Sequence, residues 1–345
     1  MNSVALAGNP NCGKTTLFNA LTGSNQYVGN WAGVTVEKKT GKTKDGKFEI
    51  VDLPGIYSLS PYSMEEIVSR DFIIKEKPQA IINIIDGTNI ERNLYLTVQL
   101  VELGIPMVLV INMMDDVKAQ GGSIDTCYLS KLLGMPIVPV SARRGDNIDE
   151  VMRQISYVIE NNIIPPEINF DNKTQNALNQ IFSEIYDENK VLPYSFYASK
   201  ILESDESAVG ELELSAEKAA ALERIAQKYE SSGRYGDRET MLADARYSFI
   251  ENVTAKCVVK GKSEEKLTVS DKIDIVVTNR FLALPIFILI MGSIFGLTFG
   301  PVGSFLSDII EKLFNNILSP AVLSFMEKAG APQWTVSLIT DGVIS

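Results

Sequence analysis

The sequence predicts an α/β domain with a mostly parallel sheet and one antiparallel strand, followed by a small all-α domain and a transmembrane helix. Three observations favour this fold class. Residues 1–164 alternate short apolar runs with helical patterns, which is typical of a doubly wound sheet. Helical periodicity replaces this alternation after Pro165-Pro166. From Phe281 to Ser307 the chain carries no charge, which favours a membrane span over the alternative, a buried core helix.

The strand candidates are short, and helical segments separate most of them. They are Ser3–Ala7, Lys47–Val51, Ala80–Ile85, Met107–Ile111 and Ile137–Val140. A further candidate, Val34–Lys44, is joined to Lys47–Val51 by Asp45-Gly46, a dipeptide typical of hairpin turns. We therefore expect this pair of strands to be antiparallel.

Four regions follow one another along the chain. They are a domain of residues 1–164, a helical domain of residues 165–268, a linker of residues 269–280 and the start of a membrane domain at residues 281–345. Helical patterns in the second region cover Ala177–Tyr186, Ala216–Tyr229 and Glu239–Val259. Lys260–Thr268 is predicted to be a polar linker, and Ser270–Val277 a short helix at the membrane surface.

Charge and cysteine content narrow the function classes. The 345 residues carry a formal net charge of −11, which disfavours nucleic acid as a partner. Histidine is absent and the three cysteines are far apart, so the chain offers no Cys/His zinc site and no disulfide framework. Lys272 and Arg280 precede the apolar span and Asp308 follows it, so the positive-inside rule places the residues before Phe281 in the cytoplasm.

The segment Gly8–Thr15 matches the phosphate-loop pattern, with a predicted strand before it and a predicted helix, Thr15–Leu21, after it. Its glycines allow backbone N–H groups to turn toward a β-phosphate, and the helix adds its positive end. Lys14 is expected to neutralise phosphate oxygens, and the Thr15 hydroxyl to ligate Mg²⁺. The nucleotide-binding candidates here are Gly8, Asn9, Pro10, Asn11, Cys12, Gly13, Lys14, Thr15 and Thr16.

Two further segments are expected to face the γ-phosphate. Asp52 is predicted to hold Mg²⁺ through water, the Gly55 N–H to contact the γ-phosphate, and the Thr35 hydroxyl to ligate Mg²⁺ directly. The alternative for Thr35 is a β-forming residue at the start of a strand. The binding candidates in these segments are Gly33, Val34, Thr35, Asp52, Leu53, Pro54 and Gly55.

A guanine-reading segment is predicted at Asn112–Asp115. The Asp115 carboxylate can accept hydrogen bonds from guanine N1–H and its amine, which adenine does not offer. Met113 stands where lysine is commonest, which leaves modest affinity and some tolerance of ATP open. A backbone N–H of Ser141, Ala142 or Arg143 is expected on guanine O6. Together the motifs predict a P-loop GTPase that binds GTP and GDP.

Catalysis is expected to depend on Asn11, Lys14, Thr35 and Gly55. Ile56 follows Gly55, at the position where many small GTPases have a glutamine that orients water. We therefore consider that the Asn11 amide holds a monovalent cation against the phosphates. An equally acceptable interpretation is that Asn11 caps a turn.

With these residues assembled, the chain resembles the bacterial ferrous-iron transport protein B (FeoB) family. The matching segments are Gly8–Asn19, Asn30–Glu37, Asp52–Leu59, Glu91–Leu96, Asn112–Asp115 and Asp271–Asp274. The resemblance implies Fe(II) uptake, with this GTPase gating or driving a multi-pass transporter in the bacterial inner membrane. It also implies K⁺-stimulated hydrolysis, with Asn11 and the carbonyls of Gly29 and Trp31 as K⁺ ligands, and a helical domain that slows GDP release.

The resemblance also implies partners. These partners are the lipid membrane, the remaining transporter membrane domain, small Feo accessory proteins and further copies in a homo-oligomer.

Glu65 and Glu66 lie where a switch segment is expected to contact the helical domain, with no partner indicated by the sequence. The chain stops at Ser345 within an apolar stretch, Trp334–Ile344, so we expect the amino-terminal part of a longer protein or one subunit of a split one. The alternatives are a membrane-tethered regulatory GTPase without a transport role and a soluble ribosome- or RNA-associated GTPase.

Overall fold

The computed structural model describes residues 3–23, 26–31, 33–233, 236–261, 277–278, 282–313, 316, 318–328, 332 and 335. The chain divides into two compact units, Met1–Ser263 and Glu264–Ser345. The first unit contains the predicted α/β and helical regions, and the second contains the apolar region.

A seven-stranded sheet organises the amino-terminal half of the first unit. Its strands are β1 (Ser3–Gly8), β2 (Gln26–Asn30), β3 (Glu37–Lys42), β4 (Glu49–Asp52), β5 (Ala80–Asp86), β6 (Met107–Asn112) and β8 (Ile137–Pro139). Their order is β2-β3-β4-β1-β5-β6-β8. Only the β2–β3 and β3–β4 pairings are antiparallel, so β3 alone runs against the other strands of this sheet. This confirms the predicted mostly parallel sheet with one antiparallel strand.

Two details of the predicted strands were wrong. Strand β3 begins at Glu37 rather than Val34, because residues 33–35 form a turn and bends. Strand β2 was not predicted, because Gln26–Asn30 is short, contains glycine and lies at the edge of the sheet, where even Tyr27 and Val28 are exposed. An edge strand exposed on both faces leaves no apolar alternation in the sequence.

Helices cover both faces of the sheet. They are α1 (Lys14–Thr22), α2 (Met64–Asp71), which continues as a π-helix at Phe72–Glu76, α3 (Ile90–Val101), α4 (Met114–Ala119), α5 (Thr126–Leu133) and α6 (Ile148–Glu160). One apolar cluster joins α1 and α6 to alternate residues of β1, β5 and β6. The residues between them belong to a second cluster, which continues into the helical region. The α/β and helical regions therefore share one apolar core.

The helical region contains α7 (Asn172–Ile185), α8 (Tyr194–Leu202), α9 (Glu206–Gly210), α10 (Ala216–Ser231) and α11 (Arg238–Cys257). Helix α8 was not predicted, because it is buried over most of its surface and lacks an amphipathic pattern. The predicted helix Glu239–Val259 ends at Cys257 instead. Val258–Val259 forms strand β9, antiparallel to β7 (Ser123–Ile124).

The second unit contains the long apolar helix that the sequence predicted. Helices α12 (Ala283–Phe299) and α13 (Pro301–Leu313) follow one another, and α14 spans Ser319–Lys328. Ala283–Leu313 has 31 residues, and its most apolar 18-residue window has a mean hydropathy of 2.1, so the helix is long and apolar enough to cross a membrane. Most of the predicted linker Lys260–Thr268, the helix at Ser270–Val277 apart from Val277, and Trp334–Ile344 apart from Thr335 lie outside the described residues.

Candidate functional site

The phosphate loop lies between β1 and α1, as predicted, and its backbone requires glycine. A Cβ at Gly13 would lie 2.2 Å from Asn112 Nδ2, and the Gly13 φ angle is +90°. A Cβ at Gly8 would lie 2.4 Å from the Ile84 carbonyl oxygen. Asn11 also has a positive φ, 65°, and its side chain is exposed. The loop is therefore shaped by close backbone packing against β5 and β6.

Two loop side chains are buried. Cys12 is 1% exposed, and desolvation raises the pKa of its thiol to about 12, so it is a neutral packing residue. Asn9 is 2% exposed, and neither its Nδ2 nor its Oδ1 has a hydrogen-bond partner among the described residues. Burying an amide without hydrogen-bond partners costs free energy. The Asn9 amide is therefore free to bond a polar ligand in the loop.

The Asp52 side chain contacts the phosphate loop directly. Lys14 Nζ lies 2.7 Å from Asp52 Oδ1. Burial raises the pKa of the Asp52 carboxyl above its ordinary value, although the charge of Lys14 opposes this shift. The Ile56 N–H donates to the Gly8 carbonyl at 3.2 Å, and a Cβ at Gly55 would lie 3.2 Å from Pro10 Cα. The phosphate loop Gly8–Thr15 and the segment Asp52–Gly55 therefore form one site.

The Thr35 segment is an exposed turn between β2 and β3. The Val34 N–H donates to the Trp31 carbonyl at 3.3 Å, and Gly29 pairs with Lys38 in the sheet. The Trp31 ring packs edge-on against Phe72, with centroids 5.4 Å apart. Within the described residues Thr35 makes no hydrogen bond, so none joins its hydroxyl to the phosphate loop.

The predicted guanine-reading residues meet at the ends of β6 and β8. Asn112 Nδ2 donates to the Cys12 carbonyl at 2.8 Å, and Asn112 Oδ1 accepts the Ala142 N–H at 2.9 Å. Asn112 therefore ties the phosphate loop to the Ser141–Arg143 segment, a role that the motif alone did not indicate. Met113 has a φ of 62°, which turns the chain from β6 into α4.

Asp115 has a cationic partner that the sequence reasoning missed. Arg144 Nε lies 3.0 Å from Asp115 Oδ2. Desolvation acts to raise the pKa of the Asp115 carboxyl, but hydrogen bonds and the charge of Arg144 hold it below its ordinary value. The carboxylate is therefore charged, as acceptance from guanine requires. An arginine next to the predicted Ser141–Arg143 segment was the available signal.

These features define a class: a P-loop, GTP-binding G domain. The first matching family model is described as ferrous iron transport protein B and covers residues 2–155, and a second, the FeoB cytosolic helical domain, covers residues 170–259. The chain belongs to the FeoB family and contains its G domain and cytosolic helical domain.

Individual relatives agree with this assignment. A Porphyromonas gingivalis Fe(2+) transport protein A/Fe(2+) transporter FeoB fusion protein is 39% identical over 99% of this chain and 41% of its own length. A GDP-bound mutant of the S. thermophilus FeoB G domain is 40% identical, with a TM-score of 0.72 over 75% of this chain and 100% of its own. Another S. thermophilus structure, bound to GDP·AlF₄⁻ and K⁺, is 41% identical, with a TM-score of 0.65 over 73% of this chain and 99% of its own. The chain spans about half the length of the curated relatives it matches.

Proposed function

We propose that this chain is the GTP-binding and hydrolysing cytoplasmic module of a ferrous-iron uptake transporter in the bacterial inner membrane. The observation that carries the proposal is the convergence of Lys14, Asp52 and Asn112 on one phosphate loop in a FeoB-family chain. Fe(II) is the substrate of the whole transporter, and the nucleotide state of this module gates or drives its passage. The apolar helix Ala283–Leu313 then belongs to the membrane domain.

The site residues divide by ligand. Gly8–Thr16, Gly33–Thr35 and Asp52–Gly55 hold the phosphates, and Asn112, Met113, Asp115 and Ser141–Arg143 hold the base. Hydroxyl and carboxylate oxygens suit Mg²⁺, so Thr15 and Thr35 would hold it directly and Asp52 would hold it through water. Asn11 and the carbonyls of Gly29 and Trp31 would hold K⁺, an ion present in the S. thermophilus structure. When bound, the two cations neutralise charge that develops on the phosphates.

The protein groups themselves position and stabilise the reacting phosphate. Lys14 exchanges its ion pair with Asp52 for the phosphate oxygens, because nucleotide anions bring stronger charge to the same amine. The Gly55 N–H donates to the γ-phosphate. Because Gly55 has no side chain, its backbone can lie close to Pro10 of the phosphate loop. Asp115 discriminates guanine from adenine through two accepted hydrogen bonds.

The helical domain controls the switch segment Ser58–Asp71 and thereby slows GDP release. Three contacts support this part of the proposal. The Tyr62 hydroxyl donates to Glu239, Lys200 Nζ donates to Ser60 Oγ at 3.2 Å, and Arg70 donates to Ser207 Oγ at 3.0 Å. Because the switch segment begins three residues after Gly55, its position and the γ-phosphate contact are coupled. Glu66 was expected at the contact with the helical domain, but its side chain bonds within the switch segment, as the capping-box partner of Ser63.

Other copies of the chain, small Feo accessory proteins and the remaining membrane domain are the proposed partners. The fusion of transport protein A to FeoB in P. gingivalis supports an accessory partner.

The proposal is tested by placing Lys14→Ala in the chromosomal gene of iron-starved cells. Loss of GTP binding should abolish Fe(II) uptake while the protein remains in the membrane. Normal uptake by a variant that no longer binds GTP would contradict gating and favour a regulatory switch without a transport role. Arg153→Ala, at an exposed position on α6, is the matched control and should leave uptake unchanged.

A further inference from the structure

One hairpin of this acidic chain is basic. Residues 37–49 contain five lysines, Lys38, Lys39, Lys42, Lys44 and Lys47, against three acidic residues, Glu37, Asp45 and Glu49. Glu37 pairs with Lys39, and Glu49 lies opposite Lys42 in the sheet, so the excess of positive charge is two. The chain as a whole carries a net charge of −11. A local excess of positive charge on such a background produces a directional field, so the hairpin is the face that attracts anions.

Hydrogen bonds to one aspartate hold the tip of the hairpin. Asp45 Oδ1 accepts hydrogen bonds from Thr43 Oγ1 at 2.6 Å and from the Lys47 N–H at 3.2 Å. Thr43 and Phe48 are buried beneath the turn, and Gly46 takes a φ of +71°. The Asp45 side chain is therefore committed to the turn that carries the neighbouring lysines.

Three of the lysines are available to a partner. Lys42, Lys44 and Lys47 are exposed, and none forms an ion pair with any carboxylate in the described part of the chain. They alternate with the buried Thr43 and Phe48, which places them outward.

An exposed aromatic ring accompanies the lysines. Tyr27 in the edge strand β2 pairs directly with Thr40, so it shares a sheet face with Lys38 and Lys42. Tyr27 is 70% exposed, and Val28 is 55% exposed. Tyrosine next to lysine suits a boundary between water and lipid, where the ring meets the headgroup region and the amine meets phosphate.

We propose that this surface, Tyr27 with Lys42, Lys44 and Lys47, binds the anionic lipid headgroups of the cytoplasmic leaflet. Its charge is complementary to that leaflet, and the same chain carries an apolar helix long enough to cross a membrane. The acidic remainder of the first unit is repelled by the same lipids, so contact through the hairpin orients the domain.

The test uses residues 1–263 without the apolar helix, so its result does not depend on transport or on GTP hydrolysis. This unit is compact with its own core, and a relative matching 75% of this chain is known as a separate structure. Sedimentation with phosphatidylglycerol vesicles should capture it, whereas phosphatidylcholine vesicles should not. Binding should fall steeply in about 0.5 M KCl, because surface charge is screened.

Two triple variants separate the hairpin from net charge. K42Q/K44Q/K47Q should lower the partition coefficient about 100-fold, at about fivefold for each lysine. K190Q/K218Q/K228Q, which removes three exposed lysines of the helical domain, should lower it far less. Equal losses in the two variants, or wild-type protein that ignores phosphatidylglycerol, would overturn the proposal. Capture by an acidic protein alone would overturn it as well.

Discussion

The nucleotide edge of the G domain and its contact with the helical domain are held together by different forces. At the nucleotide edge the backbone dominates: Gly13 has no room for a Cβ, and the Asn112 amide joins two loops through main-chain atoms. At the domain contact, buried charges dominate. Arg246 is fully buried and pairs with Glu102 and Glu203, and the buried Lys200 pairs with Glu203 at 2.6 Å.

The two regions therefore differ in how they fail. The shape of the phosphate loop is set by its backbone and does not depend on a particular charge. The loop can therefore bind and release nucleotide without losing its shape. A buried ion network loses far more when one member is removed, because the remaining charges stay desolvated. We infer that the first region is built for turnover and the second for a fixed attachment.

The largest expected effect tests the attachment. Arg246→Met leaves Glu102 buried without its cation and Glu203 with Lys200 alone, so the free energy of unfolding should fall by about 3–5 kcal/mol. Arg153→Met, which removes an exposed pair with Glu150, should cost less than about 1 kcal/mol. Urea denaturation of residues 1–263 measures both. Similar costs for the two variants would remove the distinction between the regions.

A second prediction concerns acid stability. Burial acts to raise the pKa of Glu203, but the charges of Arg246 and Lys200 lower it to about 2 from its ordinary 4.5. A lowered carboxyl pKa stabilises the fold above pH 4.5, and this contribution, about 3 kcal/mol, is lost as the pH falls toward 2.

The variant Glu203→Gln isolates this contribution from the opposite effect of Glu102, whose pKa is raised by burial. The stability difference between wild type and variant should therefore shrink between pH 5 and pH 2. Denaturation curves at several pH values check this. A constant difference would show that Glu203 does not titrate with the low pKa.

The smallest expected effect tests whether the attachment reaches the nucleotide. The Tyr62 hydroxyl donates to Glu239, and this hydrogen bond raises the pKa of Tyr62 to about 12. Tyr62→Phe removes one exposed hydrogen bond, worth about 1 kcal/mol, so GDP should leave up to about fivefold faster. Release of a fluorescent GDP analogue measures the rate. Tyr157→Phe, at an exposed position on α6, is the control and should release GDP at the wild-type rate. Equal acceleration in the two variants would show that the Tyr62 hydrogen bond does not control GDP release.

The sequence predicted the nucleotide edge well because its signals are local. Glycine, asparagine and aspartate stand at the ends of strands, where a parallel sheet brings separate loops together. It did not predict α8, which is apolar on several sides, or β2, which is exposed at an edge. Both lack the periodic burial on which such predictions depend.

The charged network was not predictable in the same way. Arg246 and Glu102 are 144 residues apart, and no sequence pattern distinguishes a buried arginine from a solvated one on a helix. The role of Asn112 as a bridge between loops was missed because the motif indicates a contact with the base. The domain bounds and the ligand roles of the site residues stay predictions.

The most direct test of the central claim is GTP hydrolysis by residues 1–263 in K⁺ and in Na⁺, with wild type compared with Asn11→Ala. We predict that K⁺ accelerates wild-type turnover by about tenfold or more, because a fixed cation stabilises charge on the phosphates. Asn11→Ala should lose this response while still binding GTP. Equal wild-type rates in the two salts would contradict the cation-assisted mechanism.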